Sequence, residues 1–142
     1  MLKWLSEIRR SLPERKSLMT ERRIARRTSD PIHRIYLVLE VLRSTGELEF
    51  PLQLAVTFLW IAAHDGCRQE DLGEATSMGA SSVSRNVTWL GPRHRLGKDG
   101  LKLVRREKDP DDPKRWRLFL TPKGKQFSRL IEKQLSIPLT DD

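Results

Sequence analysis

Residues 80–90 place short polar side chains around an arginine, a combination that can read the edges of DNA bases. The major groove is about 12 Å wide and admits a helix only at close approach, so side chains on the front of that helix must be small or flexible. Val83, Val87 and Leu90 recur at helical spacing and supply an apolar back. The predicted DNA-facing residues are Ala80, Ser81, Ser82, Ser84, Arg85 and Thr88. The alternative is a serine-rich surface helix without a ligand.

Arg85 is the residue in this helix best suited to specify a base. Arginine can donate two hydrogen bonds to guanine, whereas serine can contact bases or phosphates and carries little sequence information. The segment before it, from Arg68, predicts a helix through Leu72 and Ala75 and then a turn. This order predicts a helix-turn-helix whose second helix enters the major groove.

Two β-prone runs follow, at residues 101–106 and 115–121, and predict a basic hairpin. The connection contains two Asp-Pro dipeptides, which favour turns. Its acidic residues would repel phosphate, so we expect them to fold the turn and orient the neighbouring cations. Trp116 alternates with Leu118 and Leu120, which predicts a core position. A cation at the tip can reach the minor groove, and the predicted contacts of the hairpin are Arg105, Lys114, Arg115 and Arg117.

The net charge of +8 is concentrated in two parts of the chain. Residues 1–29 carry nine basic and three acidic side chains, and residues 85–129 carry fourteen basic and five acidic ones. Basic patches bind phosphate backbones by releasing condensed counterions. The alternative is that the charge serves solubility. Further candidate phosphate contacts are Arg22, Arg23, Arg26, Arg27, Arg68, Gln69, Arg93 and Arg95.

The 142 residues divide into four predicted parts. Residues 1–29 form a basic helical arm that could lie on DNA, pair with a second copy or remain a disordered tail. Residues 30–50 contain a helix to about Ser44 and a linker after it, and residues 51–121 contain the helix-turn-helix and hairpin. Within them, residues 51–64 are apolar almost all the way round, which predicts a core helix. Residues 122–142 begin with a helix to about Ser136, capped by Thr121.

The segment from about Pro51 to Lys125 resembles the winged-helix domain of the MarR family of bacterial transcriptional regulators. The matching stretches are PLQLAVTFLWIA, QEDLGEATSMGASSVSR, GLKLVRREKDPDD with the following KR, and LTPKGK. The resemblance implies a mainly α fold with a small β-hairpin wing, an α+β winged helix-turn-helix, in a homodimer that binds double-stranded DNA. It also implies that a small-molecule effector can regulate such a protein. Helices from both ends of the chain would form the dimer, with contacts from Ile32, Ile35, Tyr36, Leu39, Phe127, Leu130 and Ile131.

The sequence departs from the family pattern in four places. Ser77 stands where the family has a turn glycine, and Gly79 stands where it has a capping serine. The link between Leu90 and Gly100 is about six residues longer, and the hairpin tip is one residue longer, which leaves Lys114 and Arg115 as alternatives for the minor-groove cation. The sequence after the last predicted helix is too short for the family's long C-terminal helix pair, so residues 30–44 and 122–136 are expected to carry dimerisation.

Other classes of function are less compatible with the sequence. The three histidines are far apart and fit no metal-binding motif, and no glycine-rich phosphate loop is present, so neither an enzyme nor a metal or other cofactor is predicted. The single cysteine excludes an intrachain disulfide. No apolar run has the length of a signal peptide or membrane span, which predicts a cytoplasmic protein, associated with the nucleoid if it is a regulator. The sequence predicts a transcriptional repressor; the alternative is a non-regulatory DNA-binding protein of replication, partition or nucleoid architecture.

Overall fold

The computed structural model describes residues 30–46, 49–94 and 96–136. The described residues fall into two compact units, one made of residues 30–46, 49 and 130–136 and the other of Phe50–Arg129. The predicted arm at residues 1–29, with its four candidate arginines, lies outside the described residues, as do Arg95 and residues 137–142. None of the described helices combines the length and apolar character that crossing a membrane requires.

The unit Phe50–Arg129 is a winged helix-turn-helix, mainly helical with a small antiparallel sheet. Its helices are α2 (Leu52–Ala63), α3 (Gln69–Thr76), α4 (Ala80–Leu90) and the first part of α5 (Pro122–Ser136). Its strands are β1 (Cys67–Arg68), β2 (Val104–Lys108) and β3 (Trp116–Leu120), arranged in the order β1-β3-β2. The predicted fold class and the β2–β3 hairpin are confirmed, and β1 adds a strand that the sequence did not predict.

The hairpin begins three residues later than predicted, at Val104 instead of Leu101. The backbone N–H groups of Leu101, Lys102 and Leu103 donate to carbonyls at the end of α4, namely those of Trp89, Gly91 and Leu90, at 2.8–3.0 Å. Lys102 also adopts a left-handed backbone conformation, with φ 59°. These three residues therefore connect the wing to α4, the helix predicted to enter the major groove, instead of pairing with β3.

The core of this unit contains most of the predicted apolar positions. Leu72, Val83, Val87 and Leu90 are buried, whereas Ala75 is exposed. The predicted core helix, α2, buries Leu54, Phe58 and Ile61, whereas Leu52 is 74% exposed and Val56 is also exposed. Their side of α2 is not covered by the described residues of this unit.

Phe127 does not lie on a surface that a second chain could contact, which corrects its predicted role in dimerisation. Its ring is fully buried and meets Phe58 edge to face, with the ring centroids 5.9 Å apart. Phe127 thus joins α5 to α2 inside the Phe50–Arg129 unit. Ile131, another predicted dimer contact, is also buried, and Leu130 is half-buried.

The other unit contains α1 (Asp30–Arg43) and the last residues of α5. Val38, Val41 and Leu42 are buried, and the chain leaves α1 through Gly46, whose φ of 88° is a conformation that favours glycine. The Arg34 guanidinium donates a hydrogen bond to the carbonyl oxygen of Leu135. The apolar residues of α1 that remain exposed are Ile32, Ile35, Tyr36 and Leu39.

Candidate nucleic-acid interface

The turn between α3 and α4 takes the shape of a helix-turn-helix with an unusual choice of residues. Ser77 adopts the left-handed conformation, with φ 54° and ψ 27°, at the point where α3 ends. This conformation costs a non-glycine residue about 1–2 kcal/mol. Gly79 stands at the N-cap of α4 in extended conformation and offers no side chain to the first N–H groups. Serine at position 77 therefore strains the turn, and glycine at position 79 leaves the start of α4 without a side-chain cap.

The α4 helix exposes three of its six predicted contact residues, Ala80, Ser81 and Arg85, while Ser82, Ser84 and Thr88 are half-buried. The Arg85 guanidinium donates to the hydroxyl of Ser82 at 3.2 Å. This contact orients the arginine along the helix surface and leaves its other N–H groups available.

Thr88 serves the protein's own structure. Its hydroxyl donates to the carbonyl oxygen of Ser84 at 2.8 Å and accepts a hydrogen bond from Arg106 at 3.1 Å. The same Arg106 nitrogen donates to the Ser84 carbonyl at 3.1 Å. Thr88 is therefore an anchor for a wing residue, and a direct base contact would require it to exchange these partners.

Arg106, which was not among the residues predicted from the sequence, connects β2 to α4 through these hydrogen bonds. It lies in β2 opposite Leu118, on the face of the sheet that carries the core residues. Burial lowers the pKa of its guanidinium. Arg106 thus fixes the wing to α4. Alternation along the hairpin could have indicated its inward direction, since it is two residues from Val104.

Asp109 binds two of the arginines that were predicted to contact DNA. It is 1% exposed, and its Oδ2 atom lies 3.0 Å from Nε of Arg68 and 3.4 Å from Nε of Arg117. Arg68 and Arg117 therefore hold the wing against β1, and their predicted roles as phosphate and wing contacts stay predictions. A buried carboxylate needs such partners to offset its desolvation.

Hydrogen bonding also stabilises the charged form of Asp109. The backbone N–H of Asp111 donates to Oδ1 at 3.0 Å and is the main cause of the lowered pKa of this carboxyl, with Arg117 and Arg68 contributing further. Burial acts in the opposite direction and is outweighed. Asp112 similarly accepts from the backbone N–H of Lys114 at 3.1 Å. The prediction that the wing aspartates fold the turn and orient cations is confirmed.

The remaining wing cations differ in how strongly they are held. Arg105 pairs with Glu107 and lies over the Phe119 ring, 4.6 Å from its centroid. Arg115 lies 3.5 Å from Glu70 and 3.2 Å from Asp112. Lys114, at the tip, is exposed and forms no ion pair with the described residues. Lys114 is thus the wing cation with a fully available charge.

Trp116 is half-buried and is not a core residue, contrary to its prediction. The Lys108 ammonium lies 3.7 Å from the centroid of its ring. The two residues are direct partners across β2 and β3, at the end of the hairpin nearest the tip. Only the next residues of the alternation, Leu118 and Leu120, are buried.

The other predicted phosphate contacts have different environments. Arg93 is exposed in the link between α4 and β2. Gln69 begins α3, and its Oε1 atom is buried without a hydrogen-bond partner among the described residues.

A groove of about 350 Å³ opens beside α4, lined by Gln53, Ser82, Arg85, Asn86, Trp89 and His94.

The described residues offer no group of His, Cys, Asp and Glu side chains that could hold a metal ion. Burial is the main reason why the pKa of the Cys67 thiol is raised to about 11, and Asp71 adds to the shift. The thiolate is the reactive form of cysteine, so Cys67 is a weak nucleophile near neutral pH.

Solved structures of MarR-family transcriptional regulators share this architecture. The S. aureus MepR–DNA complex matches 72% of this chain and 77% of its own, with 20% identity and a TM-score of 0.57. The crystal structure of MarR matches 71% of this chain and 72% of its own, with 21% identity and a TM-score of 0.51. The chain has the winged-helix fold of MarR-family regulators.

Two other matches cover less of the chain. PcaV from Streptomyces coelicolor, crystallised with its natural ligand, is 24% identical over 63% of this chain, with a TM-score of 0.49. The matched part spans 58% of PcaV and 54% of a MarR transcriptional regulator from Methanosarcina mazei Go1, which is less than two thirds of either protein. No family model and no curated protein sequence matches the chain.

Proposed function

We propose that this chain is a sequence-specific double-stranded DNA-binding transcriptional regulator of MarR type, without enzymatic activity, and that it acts as a homodimeric repressor in the bacterial cytoplasm. The observation that carries the proposal is the exposed front of α4, with Arg85 beside small residues, in a winged-helix unit whose tip presents Lys114. MepR, which has the same fold, has been solved bound to DNA.

Each element has a distinct role in the proposed complex. Arg85 donates to a guanine in the major groove, and Ser81 and Ser82 contact neighbouring bases or phosphates. Lys114 carries its charge into or beside the adjacent minor groove. Arg106 keeps α4 and the wing at a fixed separation, so that both can engage one duplex.

The proposed dimer uses the exposed side of α1. Ile32, Ile35, Tyr36 and Leu39 are 64%, 54%, 47% and 43% exposed and recur at three and four residues, so they form one apolar stripe. A contiguous stripe of this kind indicates an interaction site. Paired recognition helices would then read a palindrome with half-sites about one helical turn apart.

Selection from a random pool of duplexes tests the proposal. DNA fragments retained by the purified protein are sequenced after several rounds of binding. A repressor of this type should enrich one or a few palindromic sites. Unenriched retention with a steep salt dependence would instead support an architectural role, and no retention at low salt would refute DNA binding altogether.

Arg85→Ala measures the contribution of the proposed base contact. We expect a loss of about 1–3 kcal/mol of discrimination at one base pair, with weaker preference only at that position of the selected site. Arg129→Ala is the matched control, since Arg129 is an exposed arginine on α5 outside the proposed interface. Equal discrimination by the parent and the Arg85 variant would remove Arg85 from the base-reading set.

A further inference from the structure

The link between α4 and β2 is a folded loop. We name residues 91–94 and 96–99 the link loop. Its two sides pair through a bridge between Arg93 and Asp99, and the backbone N–H of His94 donates to the Lys98 carbonyl at 2.7 Å. Gly97 closes the tip with φ 76°, and its N–H donates to the His94 carbonyl at 3.0 Å. The loop therefore holds its side chains on a small hairpin-like frame.

The base of the link loop is attached tightly to the end of α4. A Cβ atom on Gly100 would lie 2.0 Å from the Gly91 carbonyl oxygen, so only glycine allows this approach. The His94 ring meets the Trp89 ring edge to face, with the centroids 5.0 Å apart. The loop thus has a defined position relative to the recognition-helix candidate.

The attachment of the link loop to α4 places His94 in the lining of the groove beside α4. His94 lines this groove together with Gln53 of α2 and with four residues of α4, namely Ser82, Arg85, Asn86 and Trp89. Among the described residues that line the groove, none is acidic. Arg93 and Lys98, on the loop itself, are exposed and form no ion pair among the described residues. Hydrogen-bond donors therefore line the groove, and the link loop that contributes His94 to it also carries two exposed cations.

We propose that the link loop is a second DNA-contacting element, which binds a sugar-phosphate strand of the bound duplex at the groove that His94 lines. Arg93 and Lys98 neutralise phosphates on this strand, and the loop extends the contact beyond the end of α4. The inference rests on the proposed function and adds a phosphate-binding surface to it.

Salt dependence of DNA binding tests the role of the loop. The Arg93→Gln/Lys98→Gln variant removes two charges but none of the backbone hydrogen bonds that close the loop. Removal of each phosphate-binding charge should reduce the slope of log K against log [salt] by about 0.9 per bound chain, with the selected sequence unchanged. Phosphate-ethylation interference should also disappear at positions flanking the α4 contact.

Two further variants make the outcome decisive. Lys125→Gln/Arg129→Gln removes two exposed charges from α5 and should leave the slope unaltered, whereas Arg93→Lys/Lys98→Arg should retain the parental slope. A slope for Arg93→Gln/Lys98→Gln equal to that of the parent would overturn the inference and leave the proposed function standing. A parent protein that binds no duplex would overturn both.

Discussion

Asp109 is the residue on which the position of the wing depends most directly, because its buried carboxylate joins Arg68 of β1 to Arg117 of β3. Its lowered pKa means that the unfolded chain binds a proton more readily than the folded chain. The ionised Asp109 carboxyl therefore stabilises the folded chain fully above the ordinary aspartate pKa of about 4. This contribution is lost as pH falls through the lowered pKa.

This linkage predicts a pH-dependent effect of Asp109→Asn. The variant should have a lower thermal unfolding midpoint than the parent at neutral pH, because two arginines lose their ionised partner. The two midpoints should converge as pH falls through the lowered pKa of Asp109, where the parental carboxyl also becomes protonated. Thermal unfolding followed by circular dichroism across this range measures the difference. A difference that is constant with pH would show that the charge of Asp109 is not responsible.

Lys114 and Arg115 are neighbours with different expected roles in DNA binding. Lys114→Gln should lower affinity for all sequences alike and reduce the salt slope by about 0.9, because it removes one available charge. Arg115→Gln should change the slope less, since Glu70 and Asp112 already offset that charge. Titrations at several salt concentrations compare the two. A larger slope change for Arg115→Gln would assign the minor-groove position to Arg115.

Residue types and spacing predicted the exposed position of Arg85 and the turn-forming role of the wing aspartates. They did not predict which arginines are already bound. Arg68 and Asp109 are 41 residues apart in the sequence and meet only because β1 adds to the sheet beside β3. Such partners depend on tertiary structure, so the sequence could not show that Asp109 also binds Arg68 and Arg117.

At the scale of elements, hydrophobic periodicity predicted the major helices, including α1, although four of the apolar residues in its pattern remain exposed. α1 and α5 end within one residue of the predicted positions, and α4 covers residues 80–90 as expected. Strand β1 was missed because two residues are too short to show a period. The start of β2 was misplaced because residues 101–103 are β-prone but bind the end of α4.

Gly124 of α5 packs closely against the backbone of Leu103, just before β2, and we expect this contact to require glycine. A Cβ atom on Gly124 would lie 2.0 Å from the Leu103 carbonyl oxygen, and the obstacle is backbone, which cannot move without shifting the wing. Gly124→Ala should therefore lower the free energy of unfolding by about 1–3 kcal/mol, as overpacking does. Chemical denaturation measures this value.

Gly79→Ala is the matched control for Gly124→Ala. A Cβ atom on Gly79 would have nothing within 4 Å, and its φ is −65°. We expect a change of less than about 1 kcal/mol, because the substitution is compatible with the native backbone. Equal stability of the two variants would show that α5 adjusts freely, and that the glycine of the LTPKGK stretch is not needed for close approach.

At the scale of the whole molecule, the two units have separate proposed tasks. The unit Phe50–Arg129 carries the DNA-contacting residues, and the other unit carries the apolar stripe of α1. A symmetric dimer uses the same patch on both chains, so one substitution changes the interface twice. Binding to a palindrome then depends on dimerisation, because only the dimer engages both half-sites at once.

Ile35→Glu tests this dependence. A charge buried without a partner costs about 3–5 kcal/mol, so the substitution should weaken the dimer by roughly a hundredfold or more. Sedimentation velocity should show a monomer, and affinity for the palindrome should fall while a single half-site is still bound weakly. Leu52→Glu is the control, since Leu52 is an exposed leucine outside the α1 stripe. If Ile35→Glu sedimented like the parent, the α1 stripe would not be the dimer interface, and the paired-helix geometry inferred from it would have to be abandoned.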